Sequence, residues 1–205
     1  MIEKNKLQSL IEAGMETGAD FVEIFLEDTH QSVIRITSHE ITNVDRLNTY
    51  GAGIRLLLDL DEVYGYTNDT SYEGLLSLIK NLRSSYDDKK KAFKPLGESK
   101  PFVDNAKKPL DSVPLSRKTK VLLDLAAVMK KHDERIVQAI TQLLETRQNV
   151  IIANSNGVYQ KDIRNYTRLV LMAVAKDGSE MQQAFEGPGA NMGFEFVEDK
   201  DYLPL

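Results

Sequence analysis

The chain has 205 residues, no cysteine, 41% hydrophobic and 28% charged side chains, and a formal net charge of −5. Without cysteine there is no disulfide framework, thiolate metal site or cysteine nucleophile, which fits a reducing cytoplasm. The acidic balance argues against a large nucleic-acid footprint, no run of about 18 apolar residues is present to span a membrane, and the start MIEKNKLQSL lacks the apolar centre of a signal peptide.

Leu7, Leu10, Ile11 and Met15 recur at helical spacing and predict an amphipathic helix over roughly the first seventeen residues. Gly18 is a stop signal just past its end. Asp20 to Asp28 and Gln31 to Ser38 read as strands, the second with Ile34 and Ile36 on one face and Val33, Arg35 and Thr37 on the other. Glu40 to Arg46 reads as a short third strand, and such short links favour an antiparallel meander. From Thr49 to Asp69, two β-rich runs flank the acidic turn Asp59-Leu60-Asp61-Glu62 and predict a hairpin. Gly51 and Gly53 in its first strand mark a bulge, a bend or close approach by another backbone. Thr70-Ser71-Tyr72-Glu73 carries a capping-box pattern. Tyr72, Leu75, Leu76, Ile79 and Leu82 then mark a second amphipathic helix.

After Ser84 the periodicity stops. Pro95, Pro101, Pro109 and few apolar residues make 85–113 read as a long surface linker and the main internal boundary. Lys89, Lys90 and Lys91 offer an anionic partner a basic patch, against which stands the plainer reading of a solvated linker. A third helix from Leu115 to Lys131 carries Val121, Leu122, Leu125, Val128 and Met129 as its apolar positions, with Lys130 and Lys131 at its C-terminal end. Arg135 to Glu145, Gln148 to Asn154, Val158 to Asp162, Thr167 to Lys176 and Glu180 to Phe185 read as strands. Asn156-Gly157 and Asp177-Gly178 are tight-turn signals between them.

The second half echoes the first. Gln31 to Ser38 lines up with Gln148 to Ser155, and at the same offset Asp61 falls on Gly178. Identity is thin and chance alignment is the competing reading, but a shared register of helix, strands and turns points to duplication. The fold class is α+β, with helices packed on an antiparallel or mixed sheet. Residues 1–84 read as a helix plus meander with a closing helix, 85–113 as a linker, and 114–205 as a second helix plus meander, the whole making one domain. The two meanders make one large sheet or two packed layers.

Chemistry is sparse. His30, His39 and His132 are not paired at metal spacing. His39-Glu40-Ile41-Thr42-Asn43 opens like a zinc-protease helix, but Asn43 stands where the second histidine belongs and the context is strand and turn. No nucleophile elbow, phosphate loop or dinucleotide fingerprint occurs. Carboxylates come together at Glu23/Glu27, Asp59/Asp61/Glu62 and Asp87/Asp88, but Asp59-Leu60-Asp61-Glu62 lacks the length and spacing of a calcium loop and reads first as a solvated hairpin turn. Arg55 stands in an otherwise apolar strand, where a guanidinium needs a partner. That partner is a carboxylate of a ligand or, the favoured reading, an internal Asp or Glu. Tyr64 and Tyr66 share one face of the hairpin and read as core or rim residues before they read as a binding platform.

Several short runs follow one another in a consistent order. They are Gly18-Ala19-Asp20-Phe21-Val22-Glu23; Gly51, Gly53 and Arg55; Tyr66-Thr67-Asn68-Asp69; Asp133 with Arg135-Ile136-Val137-Gln138; Ala153-Asn154-Ser155 with Gly157; and Glu186-Gly187-Pro188-Gly189. In that order they resemble the N-terminal region of the TldD/PmbA family of zinc metalloproteases, also described as modulators of DNA gyrase, and the TldD branch above all. The resemblance implies a non-catalytic part that shapes a peptide-substrate cleft and supports a homo- or heterodimer with a family member. It implies that zinc is held elsewhere, by a histidine–glutamate–histidine helix motif and a distant cysteine. Neither occurs in this sequence, so no catalytic or metal residue carries over and no cofactor is expected in this chain. Gly51, Gly53, Arg55, Tyr66, Asn68 and Asp69 are the expected substrate-cleft or partner contacts, the glycines letting a peptide backbone lie close for strand addition. Apolar residues running through Tyr202 to Leu205 suggest a chain that continues or docks elsewhere. Whether the chain is itself an enzyme stays open. A self-standing peptide- or protein-binding module is the second reading, and a carboxylate hydrolase working without zinc the third. The expected setting is cytoplasmic, with no nucleic acid bound directly and no membrane.

Overall fold

The computed structural model describes residues 2–83, 91–100, 102 and 104–198. Helix α1 (Lys4–Met15) buries the stripe Leu7, Leu10, Ile11 and Met15. Gly18, at φ 89°, then turns the chain away, a conformation that a residue with a Cβ resists. Strands β1 (Phe21–Thr37), β2 (Glu40–Leu58) and β3 (Asp61–Thr67) come next, followed by helix α2 (Tyr72–Arg83). Helix α3 (Leu115–His132) leads into β4 (Ile136–Asn154), β5 (Tyr159–Asp177) and β6 (Glu180–Glu186). The two-residue β7 (Gly189–Ala190) and the one-turn α4 (Glu195–Glu198) complete the described elements. The strand order is β3-β2-β1-β4-β5-β6, with β7 on β5, and the β2–β3 and β5–β6 pairs are antiparallel. The fold is α+β.

The strands are longer than the sequence predicts. Separate strands over 20–28 and 31–38 are one strand of 17 residues, and 40–46 runs on into the hairpin as one strand of 19. Two more predicted breaks, after Glu145 and after Asp162, are also bridged, giving two strands of 19 residues. The polar residues at these junctions include no proline or glycine, so nothing interrupts the ladder there. The cap of α2 is also displaced by one residue. Ser71 Oγ accepts the Gly74 N–H at 3.1 Å, and Asp69 Oδ1 accepts the Ser71 N–H at 3.0 Å.

Spatial proximity divides the chain into two units, and each of the four long strands contributes residues to both. The first unit is Met1–Thr29, Thr49–Val103 and Gln148–Ile163. Its core sets α1 and Leu75 and Ile79 of α2 against Val22, Ile24 and Leu26 of β1, Ala52, Ile54 and Leu56 of β2, and Ile151 and Ala153 of β4. The second unit is His30–Asn48, Asp104–Arg147 and Arg164–Leu205. Its core joins Leu122, Leu125 and Ala126 of α3 to Ile34, Ile36, Ala139, Leu143, Leu169 and Phe194. Within it Lys118 Nζ donates to Glu145 Oε2 at 2.6 Å and to the Leu110 carbonyl at 2.6 Å, and it lies 5.7 Å from the centre of the Phe194 ring. Burial pushes the Glu145 carboxyl above its ordinary value, against the pull of Lys118.

The described part of 85–113 is irregular and is anchored at several points. Lys94 N–H donates to the Ser155 carbonyl at 2.8 Å, Gly97 N–H to the Gly157 carbonyl at 2.8 Å, and Leu96 N–H to Gln8 Oε1 at 2.6 Å. Leu96 and Leu110 are buried. Single apolar anchors hold this stretch, so it leaves no periodic trace in the sequence. Lys91 pairs with Asp20 at 2.6 Å. Lys89, Lys90, the Asp87/Asp88 pair and Tyr202 to Leu205 lie outside the described residues.

Candidate functional site

Alternation along β1 buries Val22, Ile24 and Leu26 under the helices of the first unit, so Phe21, Glu23, Phe25 and Glu27 line the opposite face. On β2 the same rule places Gly53 and Arg55 on that helix-free face. Antiparallel register sets Gly53 opposite Tyr66 and Arg55 opposite Tyr64. Phe25, Glu27, Tyr50, Gly51, Gly53, Tyr64, Tyr66 and Asn68 wall a cleft of about 270 Å³. Tyr64 is 59% exposed and Tyr66 79%, so both stand at the surface and neither is core.

The two glycines have a local reason. A Cβ on Gly53 would lie 2.3 Å from Tyr64 Oη, so the Tyr64 side chain rests directly over that backbone. A Cβ on Gly51 would lie 2.7 Å from the Thr67 carbonyl oxygen. The close approach inferred from sequence is therefore made by the hairpin's own second strand and its tyrosine.

Arg55 is held internally. Its Nη2 lies 3.1 Å from Glu23 Oε1, and its guanidinium lies 5.6 Å from the centre of the Phe21 ring. Asn154 Nδ2 donates to the other Glu23 oxygen at 3.4 Å. Glu27 Oε2 accepts from Thr29 Oγ1 at 3.0 Å and from Gln148 Nε2 at 3.1 Å. Tyr50 Oη and Thr70 Oγ1 share a hydrogen bond of 2.5 Å.

Of the six residues singled out in the sequence, Gly51, Gly53, Tyr66 and Asn68 line the cleft, and Arg55 lies on the same sheet face beside it. Asp69 does not join them. It turns to the start of α2, where hydrogen bonding with Ser71 holds its carboxyl below the ordinary value. Sequence reasoning passed over Phe25, Glu27 and Tyr50 as wall residues. The alternation of Glu23, Phe25 and Glu27 against a buried Val22-Ile24-Leu26 face was the available signal.

Among the described residues the donors do not fit a catalytic zinc centre. His30, His39 and His132 all belong to the second unit, and cysteine is absent. Among the described residues no group of three or more His, Cys, Asp or Glu is placed to hold a metal ion. None of the described helices is long and apolar enough to cross a membrane.

Comparison with known proteins places this α+β chain among metallopeptidase-family domains. The PmbA/TldA metallopeptidase domain 1 model matches residues 22–85, and the PmbA/TldA metallopeptidase central domain model matches residues 108–204. The chain belongs to the PmbA/TldD metallopeptidase family. It is 22% identical over 153 residues to a metalloprotease TldD homolog of Buchnera aphidicola subsp. Schizaphis graminum, covering 74% of this chain and 32% of the relative. A candidate modulator of DNA gyrase from Bacteroides thetaiotaomicron superposes with a TM-score of 0.73 at 16% identity, over 92% of this chain and 45% of that one. Another from Thermotoga maritima gives 0.70 at 16% identity, over 92% and 43%. TldE from Thermococcus kodakarensis gives 0.66 at 14% identity, over 91% and 43%. At these identities the solved structures show a shared fold. The chain spans about a third of the length of the curated relative and under half of each of these solved chains.

Proposed function

We propose that this chain is the non-catalytic N-terminal part of a TldD-like zinc metallopeptidase, where it shapes the peptide-substrate cleft and supports contacts with a second family member. The carrying observation is the tyrosine-walled cleft over Gly51 and Gly53, formed on a helix-free sheet face next to β3, the last strand in the sheet order. An extended peptide there finds aromatic walls for its side chains, and the ladder groups of β3 offer strand addition. Gly51, Gly53, Tyr66 and Asn68 contact the peptide in this reading. Arg55, locked to Glu23, gives the adjoining wall its shape, and Asp69 acts indirectly through the start of α2. Hydrolysis itself falls to a zinc held by residues other than those of this chain. The family relationship and the absence of cysteine from the sequence both support that division, and a cytoplasmic setting goes with it.

The test is peptide processing by the assembled metallopeptidase carrying Tyr66→Ala and Gly53→Val. Both are expected to raise KM several-fold with folding intact by circular dichroism. Unchanged processing by both variants would remove the cleft from the substrate path. Peptide binding by the isolated chain, with no effect of either variant on processing, favours the self-standing binding module instead.

We also infer that 1–84 and 114–205 are two copies of one helix-plus-meander unit joined by 85–113. The series α1-β1-β2-β3, with strands of 17, 19 and 7 residues, recurs as α3-β4-β5-β6, with strands of 19, 19 and 7.

A further inference from the structure

We propose that the cleft over Gly51 and Gly53 selects a single organic cation, the ammonium of a lysine or the guanidinium of an arginine side chain. The inference rests on the peptide-cleft reading above and adds which side chain that cleft takes. Four aromatic rings, Phe25, Tyr50, Tyr64 and Tyr66, border it, and Glu27 is its one carboxylate. None of the lining residues is basic. The nearby guanidinium on the same face, Arg55, is already neutralised by Glu23.

Aromatic rings carry negative charge on their faces and attract a cation placed over them, most strongly where water is displaced. Gly53 lets the Tyr64 side chain settle onto the strand that floors the cleft, and Gly51 lets the Thr67 carbonyl close in beside it, so the floor is built from the hairpin itself. The walls are pre-set: Tyr50 is tied to Thr70, and Tyr64 rests on Gly53. Glu27 is pre-set too. Thr29 and Gln148 both hold Oε2, while Oε1 carries no hydrogen bond among the described residues and remains available for a charged donor. An acidic side chain would meet both Glu27 and the negative ring faces. A neutral aliphatic side chain would gain contact area alone.

The experiment titrates end-blocked Gly-Gly-Xaa-Gly-Gly peptides into the chain at low salt, followed by tyrosine fluorescence and by NMR. Xaa is Lys, Arg, norleucine or Glu. Lys and Arg are expected to bind at least about ten-fold tighter than norleucine, with Glu weakest. E27Q and Y66L are each expected to bring the affinities for Lys and Arg down toward that for norleucine, so that most of the preference is lost. Equal binding of Lys and norleucine would overturn cation selection while the peptide-cleft reading survives. Binding of none of the peptides would remove both. A lysine preference that persists in E27Q and Y66L would place the cation elsewhere and also overturn the proposal.

Discussion

Lys118 Nζ lies 2.6 Å from Glu145 Oε2, and the two side chains are 3% and 2% exposed. The pair ties α3 to β4 inside the second unit, yet Glu145 Oε1 is buried there without a hydrogen bond among the described residues. A buried pair whose polar atoms are incompletely satisfied contributes little net stability, whereas removing one partner strands the other charge. Glu145→Ala and Lys118→Ala are each expected to cost roughly 3–5 kcal/mol in urea unfolding. The joint replacement Lys118→Met with Glu145→Leu should recover the loss and can exceed the parent. A double variant as unstable as either single one would show that the pair does more than balance its own charges.

The carboxylates of the second unit respond to pH in opposite senses. Burial raises Glu145, so the folded chain holds that proton more tightly than the unfolded chain. Its ionisation opposes folding most above the folded pKa, and the cost fades as pH falls through that value. Burial also acts upward on Glu195, but the N–H groups of Lys107, Lys108 and Gly193 outweigh it and lower the carboxyl from 4.5. Its contribution is complete above 4.5 and is lost as pH falls through the lowered folded value. Glu195→Gln is therefore expected to lower the urea midpoint at neutral pH and to make it fall less steeply on acidification. Parallel midpoint curves for variant and parent would contradict the assignment.

Gly14 is the point at which α1 comes down on β1. A Cβ there would stand 2.8 and 2.9 Å from the two methyl groups of Val22, which is itself buried. Alanine gains about 1 kcal/mol over glycine in a helix interior, but forcing apart a packed core costs about 1–3 kcal/mol. Val22 is β-branched and cannot swing aside, so the clash should win. Gly14→Ala is expected to lower the melting temperature, and adding Val22→Ala should return part of the loss relative to Val22→Ala alone.

Ser71 caps α2 through the Gly74 N–H. Ser71→Ala should cost about 1 kcal/mol by denaturant unfolding, and Ser71→Gly less. Equal losses in the two variants would mean that the hydroxyl contributes nothing as a cap.

The helices and turns were legible in the sequence because their signals are local. The spacing of Leu7, Leu10, Ile11 and Met15 gives α1 directly, and the turns predicted at Asn156-Gly157 and Asp177-Gly178 hold glycines at φ 86° and 58°. Strand continuity was less legible, because His30 and Asn48 read as loop residues although paired strands tolerate them. Gly51, Gly53, Tyr66 and Asn68 could be picked out together as neighbours along one hairpin. Phe25 and Glu27 reach the same cleft from another strand, and only pairing brings them there. Asp69 hydrogen-bonds at the start of α2, a place its sequence position leaves ambiguous, because an aspartate before a helix caps as readily as it binds. Lys118 gave no sign at all, since a lysine in the first turns of a helix ordinarily points into water.

The sharing of long strands has a consequence for synthesis on the ribosome. A nascent chain that has emerged as far as Val103 still lacks Gln148–Ile163, which brings Ile151, Ala153 and Tyr159 to the first core. The second core waits likewise for Leu169 and Phe194, although Ile34 and Ile36 were made long before. Neither core can close early, so the growing polypeptide carries apolar surface for most of its translation and depends on pairings between distant parts of the chain, the slow kind of folding in which chaperones find their clients.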